Sequence, residues 1–164
     1  MIVKVNDANL QTAAEIHAKS WRDSHAAFCS ESFITQHTAE RQKAFLEKEM
    51  QNGKQIYMLI KDIPVGIVSI QDSLIENLYI LPSEQHKGYG TELLRFAINE
   101  CAGKSHLWVL NNNMEGQMLY RKQGFCETGK IHQLSSKLFE LEMEFLGGKS
   151  NKLLFVKHSK SDSF

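Results

Sequence analysis

The sequence predicts a mixed α/β fold of the α+β kind, and three observations carry that expectation. Runs of apolar or alternating residues with the strand period recur at 56–60, 65–70, 74–81, 107–110 and 139–145. Segments whose apolar residues fall three and four apart lie between several of them. The 164 residues suffice for about one core and are too few for two ordinary domains.

In chain order, Ile2, Val3 and Val5 make a first short strand, and Asn6 or Asp7 is placed to cap the helix that follows. Leu10, Ala14, Ala18 and Trp21 share a face of that helix, with His17 beside them as a core-edge histidine. From Trp21 to Thr38 the periodicity breaks, and Arg22, His25, Phe28, Phe33 and His37 mix aromatic with polar groups. Helical spacing returns over 39–50, with Gln42, Phe45, Leu46 and Met50 on one side and Glu40, Lys43, Glu47 and Lys48 on the other, and Asn52-Gly53 ends it. Two antiparallel strands follow, 56–60 and 65–70, joined by a turn at Lys61-Asp62-Ile63-Pro64. Residues 74–81 supply the next strand. After a long helix, the four apolar residues 107–110 read as a strand covered on both faces. Asn111-Asn112-Asn113 can cap a helix over 114–122, where Met114 and Met118 read as core filler. A strand starts at Phe125, and 139–145 alternates Phe, Glu, Leu, Glu, Met, Glu, Phe, which puts an acidic face toward water. Gly147-Gly148 then breaks the chain. We read one domain over 1–146 and a polar tail over 147–164, whose apolar knot is Leu153 to Val156.

Composition narrows the function classes. Lys and Arg number 19, as do Asp and Glu, so the broad positive footprint of a nucleic-acid binder is missing. Cys29, Cys101 and Cys126 are odd in number and form no Cys-x-x-Cys pair, which argues against a disulfide framework or a zinc site. The opening residues carry no apolar signal core, and no apolar run approaches the ~20 residues of a membrane helix. A soluble cytoplasmic protein without a membrane or nucleic-acid partner is expected.

The chemistry concentrates where 74–81 hands over to the long helix. An apolar strand ends at Pro82, a polar connection Ser83-Glu84-Gln85-His86-Lys87 follows, and Gly88 and Gly90 open the helix that buries Tyr89, Leu93, Ala97 and Cys101. Glycines there cost backbone entropy and allow N–H groups to approach a ligand closely. Those N–H groups lack intrahelical partners and sit at the positive end of the helix dipole, so phosphate is the natural guest. Two common phosphate patterns fail: Lys87 precedes the glycine instead of following it, and Leu93 stands where a third glycine would be needed.

The loop Gln85-His86-Lys87-Gly88-Tyr89-Gly90 resembles the Gln/Arg-x-x-Gly-x-Gly/Ala loop of the GNAT N-acetyltransferase superfamily, and the preceding Leu78-Tyr79-Ile80-Leu81-Pro82 resembles that family's fourth strand and its exit. Downstream, Asn113, Tyr120 and Gly124-Phe125 have the family's spacing. The resemblance covers roughly 2–145. It implies a mostly antiparallel central sheet with helices on both faces and a splayed parallel strand pair, and acetyl-CoA as cosubstrate. It implies that Gln85, His86, Lys87, Gly88, Tyr89, Gly90 and Thr91 hold the pyrophosphate and that the backbone of Leu78 and Ile80 bonds the pantetheine amides. Asn113 would hold the CoA arm, and Tyr120 would protonate the departing thiolate. The 21–38 region would form a wall of the acceptor groove.

Two departures stand out. Gly116 replaces an alanine common in the family, and Leu74 occupies a position where some members carry a glutamate base. Glu76, two residues on and on the same strand face, is the candidate base instead. The sequence thus implies an enzyme that moves acetyl from acetyl-CoA to a primary amine, small or peptidic, with a homodimer as an allowed assembly. The alternative is a non-catalytic acyl-CoA sensor or interaction module on the same fold.

Overall fold

The computed structural model describes residues 1–147, so most of the expected tail, with its knot at Leu153 to Val156, lies outside the described residues. Two compact units divide the chain, Met1–Gly103 and Lys104–Phe164.

The first unit holds β1 (Ile2–Lys4), α1 (Leu10–His25), α2 (Glu31–Thr35), α3 (Ala39–Gln51), β2 (Gln55–Ile60), β3 (Pro64–Gln71), β4 (Leu74–Ile80) and α4 (Tyr89–Glu100). Its four strands lie in the order β1-β2-β3-β4, antiparallel throughout. Neighbouring residues of β3 show how the faces are shared. Ile67 joins the core formed with Leu10, Ala13 and Ala14 of α1 and Leu46 of α3. Gly66 points the other way, where an added Cβ would stand 2.5 Å from Ile80 and 3.5 Å from Leu93 of α4. Helices therefore cover both faces of this sheet, and the absent side chain at Gly66 lets α4 sit close.

Two expectations for this unit need correction. The N-cap of α1 is Asn9, not Asn6 or Asp7: Asn6 accepts the Ala8 N–H at 2.9 Å and donates its own N–H to Asn9 Oδ1 at 2.8 Å, which makes a turn ahead of the helix. The irregular segment begins later than Trp21, because α1 continues to His25. The Trp21 and His25 rings, one turn apart, stack at 3.9 Å and hold that last turn. Thr38, as N-cap of α3, and Asn52 with Gly53 at its end conform to the pattern.

The second unit holds β5 (His106–Leu110), α5 (Met114–Lys122), β6 (Phe125–Gln133) and β7 (Phe139–Phe145). Its strands run β5-β7-β6, antiparallel, with β7 in the middle. That position overturns the reading of its acidic face as simply solvated. Glu140 pairs with His132, Glu142 with Lys130 and Glu144 with Lys104, and Glu142 is buried. In β5 only Leu107 and Val109 are buried, while Trp108 and Leu110 are half-covered, so one face is closed, not both. The methionine reading is also overturned, since Met114 and Met118 are 58% and 66% exposed. Gln117 takes the inward face because its amide donates to the Leu110 and Asn111 carbonyls at 3.0 and 3.2 Å. Those bonds fix α5 with its methionines outward. Among the described residues no helix is long and apolar enough to cross a membrane, and Cys29, Cys101 and Cys126 are in no disulfide.

Candidate functional site

In the first unit β4 delivers the chain to the glycine loop through one turn of 3-10 helix, Pro82–Glu84. The loop is braced from behind: Gln85 Nε2 donates to the Ile80 carbonyl at 3.2 Å, the Leu81 N–H to Val65 at 2.8 Å, and Lys87 pairs with Glu84 at 2.9 Å. His86 at φ +60 and Gly88 at φ +83 both take the left-handed conformation, which turns the backbone into the start of α4. A Cβ at Gly88 would meet nothing within 4 Å. The first helical bond is Glu92 N–H to Gly88 carbonyl at 3.1 Å. The N–H groups of Tyr89, Gly90 and Thr91 precede it and remain for an anion at the dipole's positive end. The loop residues singled out in the sequence, Gln85 to Thr91, thus come together with Leu78 and Ile80 at the carboxyl end of β4. Lys61 lies 5.1 Å from the Tyr89 ring and pairs with Glu92 at 2.6 Å, which secures the first turn.

In the second unit Asn113 is the N-cap of α5, and its Oδ1 accepts the Gly116 N–H at 2.9 Å. Gly116 has a local reason: a Cβ there would stand 2.6 Å from Asn113 Nδ2. Tyr120 packs edge-on to Phe125 with centroids 6.0 Å apart, and burial pushes its phenol up to about 12. At neutral pH this hydroxyl can donate a proton or a hydrogen bond but cannot serve as a base.

A cavity of about 400 Å³ opens within the first unit, on the face of the sheet that carries α1 and α3. His17, Trp21, His37, Arg41, Phe45 and Tyr79 line it, and Gln42 and Asn77 complete the wall. A bulge in β4 sets the last of these: the register with β3 shifts between Ile67 and Ser69, and Asn77 takes φ +49. Only 3% of His17 is exposed, and neither ring nitrogen makes a hydrogen bond of ordinary length and angle, although the Asn77 and Gln42 amides lie beside the ring and interact with it. Burial pushes its pKa down to about 4; the nearby charges of His37 and His25 add to that, while the Asn77 and Gln42 side chains oppose it. Trp21 stacks on His25 at 3.9 Å and on His37 at 3.4 Å. Sequence reasoning placed 21–38 along a groove but took His17 as a core-edge residue. The bulge in β4, which sets Asn77 in the same wall, is announced by no sequence period.

Residues 51–127 match the family model described as an acetyltransferase (GNAT) domain. That stretch, just under half of the chain, is similar to a GNAT domain. No curated protein matches the sequence. Among solved structures it is similar to PaiA N-acetyltransferase from Thermoplasma acidophilum in complex with coenzyme A, at 23% identity over 87% of this chain and 96% of that one, with a TM-score of 0.64. It is similar to apo YjaB from Escherichia coli, at 21% identity over 90% and 98% and a TM-score of 0.69. It is similar also to yncA from Salmonella typhimurium with its cofactor acetyl-CoA, at 18% identity over 100% and 98% and a TM-score of 0.64. The mixed, mostly antiparallel α/β architecture is the fold this chain shares with these proteins.

Glu76 has a partner. Its carboxylate bonds the Lys54 ammonium, which also bonds Glu49 at the end of α3. Burial would lower the Lys54 pKa, but the hydrogen bonds and charges of the two glutamates outweigh it and hold it raised. With 9% of the Lys54 side chain exposed against 35% of Glu76, the lysine anchors the group.

Proposed function

We propose that this protein is an acetyl-CoA-dependent N-acetyltransferase, an acyltransferase acting by direct attack of an amine on the thioester. The observation that carries the reading is the start of α4, where a left-handed Gly88, a Cβ position open to space and three N–H groups ahead of the first helical bond suit a pyrophosphate. The family match supports acyl transfer as the class of reaction. Acetyl-CoA is the cosubstrate. The backbone of Leu78 and Ile80 is assigned to the pantetheine amides, and the loop from Gln85 to Thr91 to the phosphates. Asn113 is assigned to the CoA arm and Tyr120 to the sulfur.

In the reaction the amine lone pair forms a bond to the thioester carbon, and an N–H aimed at the carbonyl oxygen would stabilise the oxyanion. The C–S bond then breaks, the nitrogen loses one proton and sulfur gains one, leaving amide and free CoA. With Tyr120 near 12 and a thiol near 8.5, complete transfer from the phenol to the thiolate is uphill by roughly 5 kcal/mol. Tyr120 therefore acts chiefly as a hydrogen-bond donor to the developing thiolate, and the net proton comes from the attacking nitrogen. Glu76 is the candidate base for an alkyl ammonium, a duty that competes with its bond to Lys54. The cysteines in no disulfide suit the cytoplasm, where we place the protein.

The test is release of free CoA, followed with DTNB, from acetyl-CoA in the presence of an amine panel. Amine-dependent release is expected. Tight acetyl-CoA binding with no release for any amine would favour the non-catalytic sensor.

A further inference from the structure

The cavity of the first unit specifies a class of acceptor, an inference that rests on the acyl-transfer reading above. Arg41 is the one lining side chain with a fixed formal charge, and no carboxylate lines the cavity among the described residues. Its guanidinium is held by Gln36, Nη1 to both the backbone and the side-chain oxygen at 3.3 Å. An alkyl ammonium entering here would meet a cation and find no anion. Aromatic walls could in principle compensate by cation–π attraction. Here Trp21 is already stacked on two imidazoles, and the Tyr79 ring meets His17 edge to face at 5.1 Å. What the cavity does offer is hydrocarbon surface, with Phe45 42% exposed, and one buried imidazole whose two nitrogens make no hydrogen bond of ordinary length and angle with the Asn77 and Gln42 amides beside it. A buried polar group without partners costs stability unless a ligand or water meets it. The candidate carboxylate for deprotonating an ammonium, Glu76, does not line the cavity and is engaged by Lys54.

We propose that the acceptor is a small aromatic amine, uncharged at neutral pH, that seats its ring against Phe45 in this cavity and hydrogen-bonds His17. Such an amine attacks without prior deprotonation: its nitrogen bonds the acetyl carbon, the C–S bond breaks, and the proton lost from nitrogen ends on the CoA sulfur. An alkylamine is neutral in only about one molecule in 10³ at pH 7 and would need a base.

Aniline and benzylamine, which share the ring and differ in charge at pH 7, separate the cases. With the full chain and acetyl-CoA we expect kcat/KM for aniline to exceed that for benzylamine by at least tenfold. A smaller or reversed ratio, or no reaction with aniline while acetyl-CoA binds, would overturn the assignment. Calorimetry of aniline with the protein in the absence of CoA reads the cavity independently of the glycine loop, so failure of acetyl-CoA to bind would overturn the cradle alone. We expect aniline to bind, and His17→Phe, which keeps a ring and deletes both nitrogens, to weaken it roughly five- to tenfold. Phe45→Ala, at an exposed helix position where folding is secure, should weaken it severalfold. No aniline binding, or binding indifferent to both substitutions, would overturn the proposal.

Discussion

At the residue scale, His17 ties stability to pH. Its folded pKa of about 4 lies below the ordinary 6.5, so as pH falls the unfolded chain takes up the proton first. The stability of the neutral form is fully present above 6.5 and is lost between 6.5 and 4, by roughly 3 kcal/mol. His25, lowered by burial as well, acts in the same direction. We expect the melting temperature to drop between pH 7 and pH 4.5, and His17→Phe to remove most of that drop; equal drops in both proteins would exclude His17 as the source. Tyr120→Phe should lower kcat by about ten- to a hundredfold, the effect of losing a hydrogen bond to a developing thiolate that is already a tolerable leaving group. CoA affinity should barely move, and undiminished kcat would remove Tyr120 from the chemistry. Glu76→Gln should cost about 1 kcal/mol in urea unfolding, since Lys54 keeps Glu49 and the pair is partly exposed. With aniline as acceptor it should leave turnover unchanged, whereas loss of aniline turnover would return Glu76 to the catalytic base.

At the scale of elements, the start of α5 couples two positions that seem separate in sequence. Replacing a helical glycine by alanine usually gains up to ~1 kcal/mol, and losing an asparagine cap costs about as much. In α5 the alanine methyl would occupy the Asn113 side-chain position. Gly116→Ala should therefore fail to stabilise in urea unfolding, while in an Asn113→Ala background the same change should stabilise. A gain from Gly116→Ala alone would show that the cap does not depend on the glycine. The sequence disclosed that Asn113 could cap and that Gly116 departs from the family, but the link between them is a distance. The outward methionines of α5 were illegible for a related reason: helical spacing identifies a face without saying which way it turns, and the Gln117 amide decides that through the Leu110 and Asn111 carbonyls.

At the scale of the whole molecule, the order of strands and helices was legible because the periods are clean and punctuated: Asn52-Gly53 closes α3, Pro64 opens β3, and Gly88 opens α4. The turn of the glycine loop was legible too, since it is local backbone geometry. The cavity was not, because His17, Arg41 and Tyr79 lie far apart in sequence and meet only through packing of α1, α3 and the bulged β4. Strand position was equally hidden: the alternation in β7 gave its two faces but not its place between β5 and β6, which is why its glutamates carry partners. The central claim is that the start of α4 is a coenzyme A cradle. Calorimetric titration of acetyl-CoA into the wild type and into Gly90→Val tests it, because valine in the first helical turn costs well under ~1 kcal/mol of stability yet adds bulk beside the N–H groups assigned to phosphate. The expected result is binding by the wild type and at least tenfold weaker binding by a variant of nearly unchanged melting temperature; equal affinity in a folded Gly90→Val protein would contradict it.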